Sequence, residues 1–203
     1  MGVEHVVLVL VAFFAGAMPF SLWVGFAFLR VDIRDYGDGN PGTFNVIRAG
    51  GVKWGGLALM LDISKGAAPV GLAAYIFNMT GAGLVLIAVA PVFGHAFSPF
   101  LHFKGGKAIA TTGGMMIGLS LWQMPLVAMV ALTFWYLVLT RSGWAVMFTA
   151  ACVIAYLLLT AAPVEWLAAM GIITLLMIYN HRTELTDPPR LKLLTRSAGG
   201  DAV

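Results

Sequence analysis

Charge is what this sequence has least of. Only 10% of its 203 residues are Asp, Glu, Lys or Arg, against 60% that are hydrophobic, and the mean hydropathy is +0.91. A soluble domain carries roughly 25% charged residues, so this chain lacks the material for a water-facing surface. The twelve Lys and Arg against nine Asp and Glu leave a formal +3. They stand in short clusters between apolar runs rather than on one polar face, which excludes a nucleic-acid-binding surface and fits a chain threaded through a bilayer. Cysteine is nearly absent: Cys152, inside an apolar run, permits neither a disulfide framework nor a cysteine-rich metal site within one chain. His5, His95, His102 and His181 lack any metal-ligand spacing, so no metal centre and no cofactor are expected. There is no GxSxG elbow and no His-x4-Asp pair, which argues against a covalent serine or histidine-base hydrolase. Because no Lys or Arg precedes the first apolar run, that run reads as a retained span rather than a cleaved signal peptide.

What is present is a rhythm of long uncharged gaps. Residues 66–103, 108–140 and 142–181 hold no Lys or Arg. A helix crossing about 30 Å of hydrocarbon uses about 20 residues, so each gap fits two crossings and a turn. The expectation is an all-α integral membrane protein with seven transmembrane helices, near 3–29, 54–76, 79–99, 107–121, 124–140, 143–160 and 164–180. The basic clusters at 30–53, 104–107, 141 and 182–196 then share the cytoplasmic face, which puts the N-terminus outside and the C-terminus in the cytoplasm. The pair of short spans within 107–140 carries that count. Trp54, Trp122, Trp144 and Trp166 fall near span ends, as interfacial anchors do. The whole chain, 1–203, reads as a single membrane domain with a flexible tail over 191–203.

Two polar segments on the basic face are richer than connectors require. The first runs Gly37-Asp38-Gly39-Asn40-Pro41-Gly42-Thr43-Phe44-Asn45, with Arg48 just beyond. Glycines let successive backbone N–H groups converge, asparagines brace a turn, and an arginine offers a planar fork to phosphate. The second, His102-Phe103-Lys104-Gly105-Gly106-Lys107, sets two lysines around a Gly-Gly pair at a predicted helix start, a combination of charge and exposed amides suited to an anion. It departs from the nucleotide P-loop, since His102 stands where the first glycine belongs and Ala108 follows Lys107. Asp62 and Lys65, three residues apart in the second span, sit on one helix face, either as a structural ion pair or as support for the polar site.

At these segments the sequence resembles the bacterial acyl-phosphate-dependent glycerol-3-phosphate acyltransferase (PlsY) family. The stretches that carry the likeness are DIRDYGDGNPGTFNVIRAGG at 32–51, LDISKGAAPV at 61–70, GHAFSPFLHFKGGKAIATTGG at 94–114 and the pair His181-Arg182. Three departures stand out: Asp38 where the family has serine, Ala108 where it has glycine, and a final motif not recognisable beyond His181-Arg182. The resemblance implies a multi-pass protein of the bacterial cytoplasmic membrane. It also implies transfer of a fatty acyl group from acyl phosphate to sn-glycerol 3-phosphate, giving 1-acylglycerol 3-phosphate and phosphate without a cofactor. Arg48, Lys104, Lys107 and His181 become candidate catalytic residues, and Asp38, Gly39, Asn40, Gly42, Asn45, Gly105 and Gly106 candidate substrate contacts. Asp62 and Lys65 are candidate support. Expected partners are the two phosphorylated substrates, membrane lipid and a cytoplasmic enzyme that makes acyl phosphate. Two other readings stay open: a transporter for a small phosphorylated anion, and an inactive acyltransferase-like protein. Asp38 also divides the expectations, because an inward carboxylate repels phosphate whereas one on the solvent side only caps the turn.

Overall fold

In a computed structural model, residues 2–193 are described, and they form two compact units that divide after Leu121. Apart from one isolated bridge between Leu139 and Leu191, the regular elements among the described residues are helical, which bears out the all-α expectation.

The count of seven spans is not borne out. Among the described residues, four helical stretches are long and apolar enough to cross a membrane: Val3–Leu29, Val52–Ile76, Gly81–Leu101 and Ser142–Leu159. The other three expected spans are apolar helices at Ile109–Ser120, Gln123–Val138 and Val164–Asn180. At 1.5 Å per residue Ile109–Ser120 reaches only about 18 Å, well short of a hydrocarbon layer of about 30 Å, and Gln123–Val138 and Val164–Asn180 are both shorter than Ser142–Leu159, the shortest of the four. The charge gaps counted helices, but the glycine, proline and polar turns between them consume residues that a full crossing needs. With four long spans in place of seven, the sidedness of the termini no longer follows from an odd count.

The first unit contains α1 (Val3–Ala17), α2 (Phe20–Val24) with a π-helical turn to Leu29, α3 (Thr43–Gly50), α4 (Val52–Gly71), α5 (Gly81–Ala96) and α6 (Ile109–Ser120). Membrane helices gain little from hiding apolar side chains from lipid, so close contact has to come from small residues. That is how α1 meets α5: a Cβ built on Gly16 would lie 2.0 Å from the Pro91 carbonyl oxygen, and one on Gly94 would lie 2.1 Å from that of Phe13. The α4–α6 pair repeats the arrangement, with Gly66 against Thr111 and Gly114 against Ile63. Between α1 and α2 the chain breaks at Met18-Pro19, since proline has no N–H to continue the ladder. The amphipathic α3 turns Val46 inward onto Leu22, Val24, Ile33 and Ala58, which fixes the register of the polar residues it carries.

The second unit contains α7 (Gln123–Val138), α8 (Ser142–Leu159) and α9 (Val164–Asn180). The segment after α9 is strapped to the α7–α8 turn. Glu184 accepts the Gly143 backbone N–H at 2.7 Å and the Ser142 hydroxyl, so a residue distant in sequence caps α8. Arg141 pairs with Asp187, the Trp144 indole N–H donates to the Asp187 carbonyl at 2.7 Å, and the Thr140 N–H donates to the Arg190 carbonyl at 3.0 Å. Lys192, inside the expected tail, donates to the Tyr136 carbonyl; the tail from residue 194 onward lies outside the described residues. Large apolar side chains along the helices remain exposed, among them Val7, Leu10, Phe14, Met60, Met129 and Leu175, as a lipid-facing surface requires.

Candidate active site

The 30–51 segment and the 104–107 turn, far apart in sequence, meet in the first unit. Asp32 begins the approach: it accepts the Arg34 N–H at 2.9 Å and holds that guanidinium from Nη2 at 2.6 Å, closing a short turn that aims the chain toward Gly37. Gly37 and Gly39 both hold left-handed backbone, φ +60 and +72. At Gly37 a side chain would also collide with Arg48, whose Nη1 would lie 1.8 Å from the added Cβ. Glycine therefore lets the guanidinium lie against the loop.

The polar side chains form a continuous web. Arg48 Nη1 donates to Asn45 Oδ1 at 3.0 Å. The Asn45 amide donates to Asp38 Oδ1 at 3.0 Å and to the Asn40 carbonyl at 2.9 Å. Asp38 Oδ1 also accepts the Asn40 N–H at 3.2 Å. The web then crosses to the other segment: Lys107 Nζ donates to Asp38 Oδ2 at 2.7 Å, and the Lys107 N–H donates to Asn40 Oδ1 at 3.1 Å. Asn45 is buried at the base of the web, while Arg48 and Lys104 are exposed at its rim. Burial works to raise the pKa of Asp38, but the hydrogen bond and charge of Lys107, with the amides of Asn40 and Asn45, outweigh it and hold this carboxyl below its usual range. The carboxylate is thus paired, rather than merely capping the turn from its solvent side.

The glycine turn is pressed onto the end of α5. Gly105 N–H donates to the Ala96 carbonyl at 3.0 Å and Gly106 N–H to that of His95 at 3.2 Å. No side chain fits there: a Cβ on Gly105 would stand 1.8 Å from the His95 carbonyl oxygen, and one on Gly106 would stand 2.4 Å from His95 Nε2. Gly42 is buried, and its N–H donates to the Asn40 carbonyl at 2.8 Å.

Beneath the web lies a second polar group. Lys65 and Asp62 pair at 2.7 Å, nearly inaccessible to solvent. Lys65 also donates to the Met18 carbonyl at 2.7 Å, the acceptor left over by the α1–α2 break, and Asp62 accepts from the Ser21 hydroxyl at 2.5 Å. These contacts pin the break to α4. Ser98 donates to the Ala17 carbonyl at 2.6 Å, and Thr111 Oγ1 stands 3.3 Å from His95 Nδ1. Ser21, Ser98 and Thr111 carry no signal in the sequence, since serine and threonine are ordinary in apolar helices and no linear motif marks which will hydrogen-bond across them.

His181 belongs to the second unit. It is fully buried, with Nδ1 3.4 Å from Glu184 Oε1, so it stands behind the residue that caps α8. Arg182 lies over the Tyr179 ring, 4.3 Å from its centroid. Among the described residues no group of three or more His, Cys, Asp or Glu is placed to hold a metal ion.

With this geometry in hand, comparison with known proteins is decisive. The family model described as glycerol-3-phosphate acyltransferase matches residues 6–187. The chain belongs to that family. A glycerol-3-phosphate acyltransferase of Fusobacterium nucleatum is 33% identical over 181 residues, covering 88% of this chain and 91% of that protein. One from Enterococcus faecalis is 43% identical over 115 residues, 57% of this chain, and there the match spans about half of the relative's length, 52%. The crystal structure of PlsY (YgiH), an integral membrane glycerol 3-phosphate acyltransferase, in its glycerol 3-phosphate form superposes with a TM-score of 0.80 at 30% identity, covering 95% of this chain and 93% of that one. Its lysophosphatidic acid form matches equally well at 29% identity. Family membership, the structural likeness and the long apolar helices make the chain an integral, multi-pass bacterial membrane protein.

Proposed function

We propose that this protein transfers a fatty acyl group from acyl phosphate to the primary hydroxyl of sn-glycerol 3-phosphate, releasing 1-acylglycerol 3-phosphate and inorganic phosphate. The observation that carries the reading is the web in which Arg48, Asn45, Asn40 and Lys107 converge from two distant segments, with Lys104 at the rim. Such a set of amides and cations suits two phosphate groups. The hydroxyl oxygen of the acceptor attacks the acyl carbon, the bond from that carbon to the phosphate oxygen breaks, and the hydroxyl proton leaves with a phosphate oxygen. Because the acyl phosphate is already activated, positioning and neutralisation of the developing charge suffice, without a covalent intermediate or cofactor. Arg48 supplies a forked contact, whereas Lys104 and Lys107 supply point charges. Asn40 and Asn45 shape the loop, and Gly39, Gly42, Gly105 and Gly106 give it its backbone path, their own N–H groups being held by the carbonyls of Tyr36, Asn40, Ala96 and His95. The resemblance implies an orienting role for His181; because its ring is fully buried beside Glu184, we propose that it positions the residues of its own unit, so His181→Gln should lower Tm, and an unchanged Tm would contradict this.

Acyl phosphate and the product each join an anionic end to an apolar chain, so both sit in lipid at the membrane surface, whereas glycerol 3-phosphate arrives from water. An enzyme that makes acyl phosphate is the natural supplier on the cytoplasmic side. The test is reconstitution of the full chain in vesicles with acyl phosphate, acyl coenzyme A and acyl carrier protein as rival donors. Acyl phosphate alone should support lysophosphatidate formation, and equal use of all three would refute the donor assignment. Arg48→Ala, Lys104→Ala and Lys107→Ala should each lower kcat/KM by about 10- to 1,000-fold with little change in Tm. Unchanged saturation curves in all three would remove the two segments from the mechanism. Uptake of glycerol 3-phosphate into sealed vesicles without acylation would favour the transporter reading instead.

A further inference from the structure

The Asp38 carboxylate occupies the donors that an incoming phosphate needs. Its Oδ2 takes the Lys107 ammonium at 2.7 Å, and its Oδ1 takes the Asn45 amide at 3.0 Å and the Asn40 N–H at 3.2 Å. Carboxylate and phosphate oxygens are equivalent acceptors for ammonium and amide groups. Both anions cannot share these donors, because like charges a few ångströms apart repel. We propose that Asp38 is a built-in counter-anion, holding the two segments together before substrate binds and giving up Lys107 and Asn45 when a substrate phosphate takes its place. The inference rests on the acyltransferase reading only for the identity of the phosphate-bearing ligand.

The exchange is light enough to be reversible. The Asp38 side chain is 46% exposed and that of Lys107 is 26% exposed, so the displaced carboxylate regains water as it leaves. A further bond between the segments, from the Lys107 N–H to Asn40 Oδ1, does not involve Asp38 and keeps the turn seated while the anions exchange. An exposed ion pair of this kind corresponds to about two- to five-fold in binding, so the carboxylate should weaken phosphate affinity without blocking the site.

Asp38→Asn keeps an oxygen for the Asn40 N–H and removes the charge. In the reconstituted full chain, its KM for glycerol 3-phosphate and the inhibition constant of inorganic phosphate should both fall about two- to five-fold. Unchanged or raised values in a folded Asp38→Asn protein would overturn the proposal and leave Asp38 a structural brace. A side-chain readout in the unsubstituted protein decides the matter even if the variant does not fold. Saturating inorganic phosphate should release the Asp38 carboxylate from Lys107 and Asn45, seen as a change in the Asp38 carboxyl 13C chemical shift; an unchanged shift contradicts the displacement. Failure of the acyltransferase reading is a different result: no lysophosphatidate from acyl phosphate and glycerol 3-phosphate, whatever phosphate does at Asp38.

Discussion

Ala108 holds a left-handed backbone, φ +63 and ψ 16, in a buried position immediately before α6. An L-residue with a Cβ pays about 1–2 kcal/mol for this conformation, whereas glycine adopts it freely at some cost in unfolded-state entropy. Ala108→Gly should therefore stabilise the protein by about 0.5–1 kcal/mol, seen as a Tm rise of a few degrees in detergent. A lower Tm would mean that the methyl group's packing outweighs the strain. Position 108 was visible in the sequence as a departure from the related family, but the reason glycine suits it is the backbone angle, which no pattern of residue types reports. Asp38 was legible in the same partial way. Its place in a turn was plain, whereas its pairing with Lys107 was not, because that contact depends on how α5 delivers the second segment.

At the scale of elements, the glycines of α4 divide into two kinds. Gly66 meets the Thr111 carbonyl, 2.3 Å from an added Cβ, while the space at Gly56 is open. Gly66→Ala should force α4 and α6 apart and cost about 1–3 kcal/mol, whereas Gly56→Ala should be neutral or slightly stabilising, since alanine favours the helix. Thermal unfolding of the two variants side by side measures this; equal effects would show that the close α4–α6 approach is not the source of stability. In the second unit, Glu184→Ala removes the carboxylate that caps α8 and should cost about 1–2 kcal/mol. An unchanged Tm would deny it that role. Helix positions were legible from the uncharged gaps, because burial in lipid demands apolar length and little else. The capping role of Glu184 was not, since a cap supplied across 41 residues leaves no local signature.

For the molecule as a whole, the sequence announced a membrane protein and the two polar segments that meet on it, and it overstated how many helices are long enough to cross. Helices occupy the regions of the expected spans, yet Ile109–Ser120, Gln123–Val138 and Val164–Asn180 are shorter than the crossings expected there. A charge gap measures distance along the chain, not the residues lost to turns. What the fold adds to the motifs is convergence, since α3 carries Asn45 and Arg48 while the turn after α5 carries Lys104 and Lys107. The measurement that tests this account most directly is the stoichiometry of the reaction in vesicles: lysophosphatidate and inorganic phosphate formed from acyl phosphate and glycerol 3-phosphate, followed together over time. The account predicts equimolar appearance of the two products, lost together in Arg48→Ala and Lys107→Ala. Phosphate release that does not depend on glycerol 3-phosphate, or no turnover by the folded protein, would contradict it.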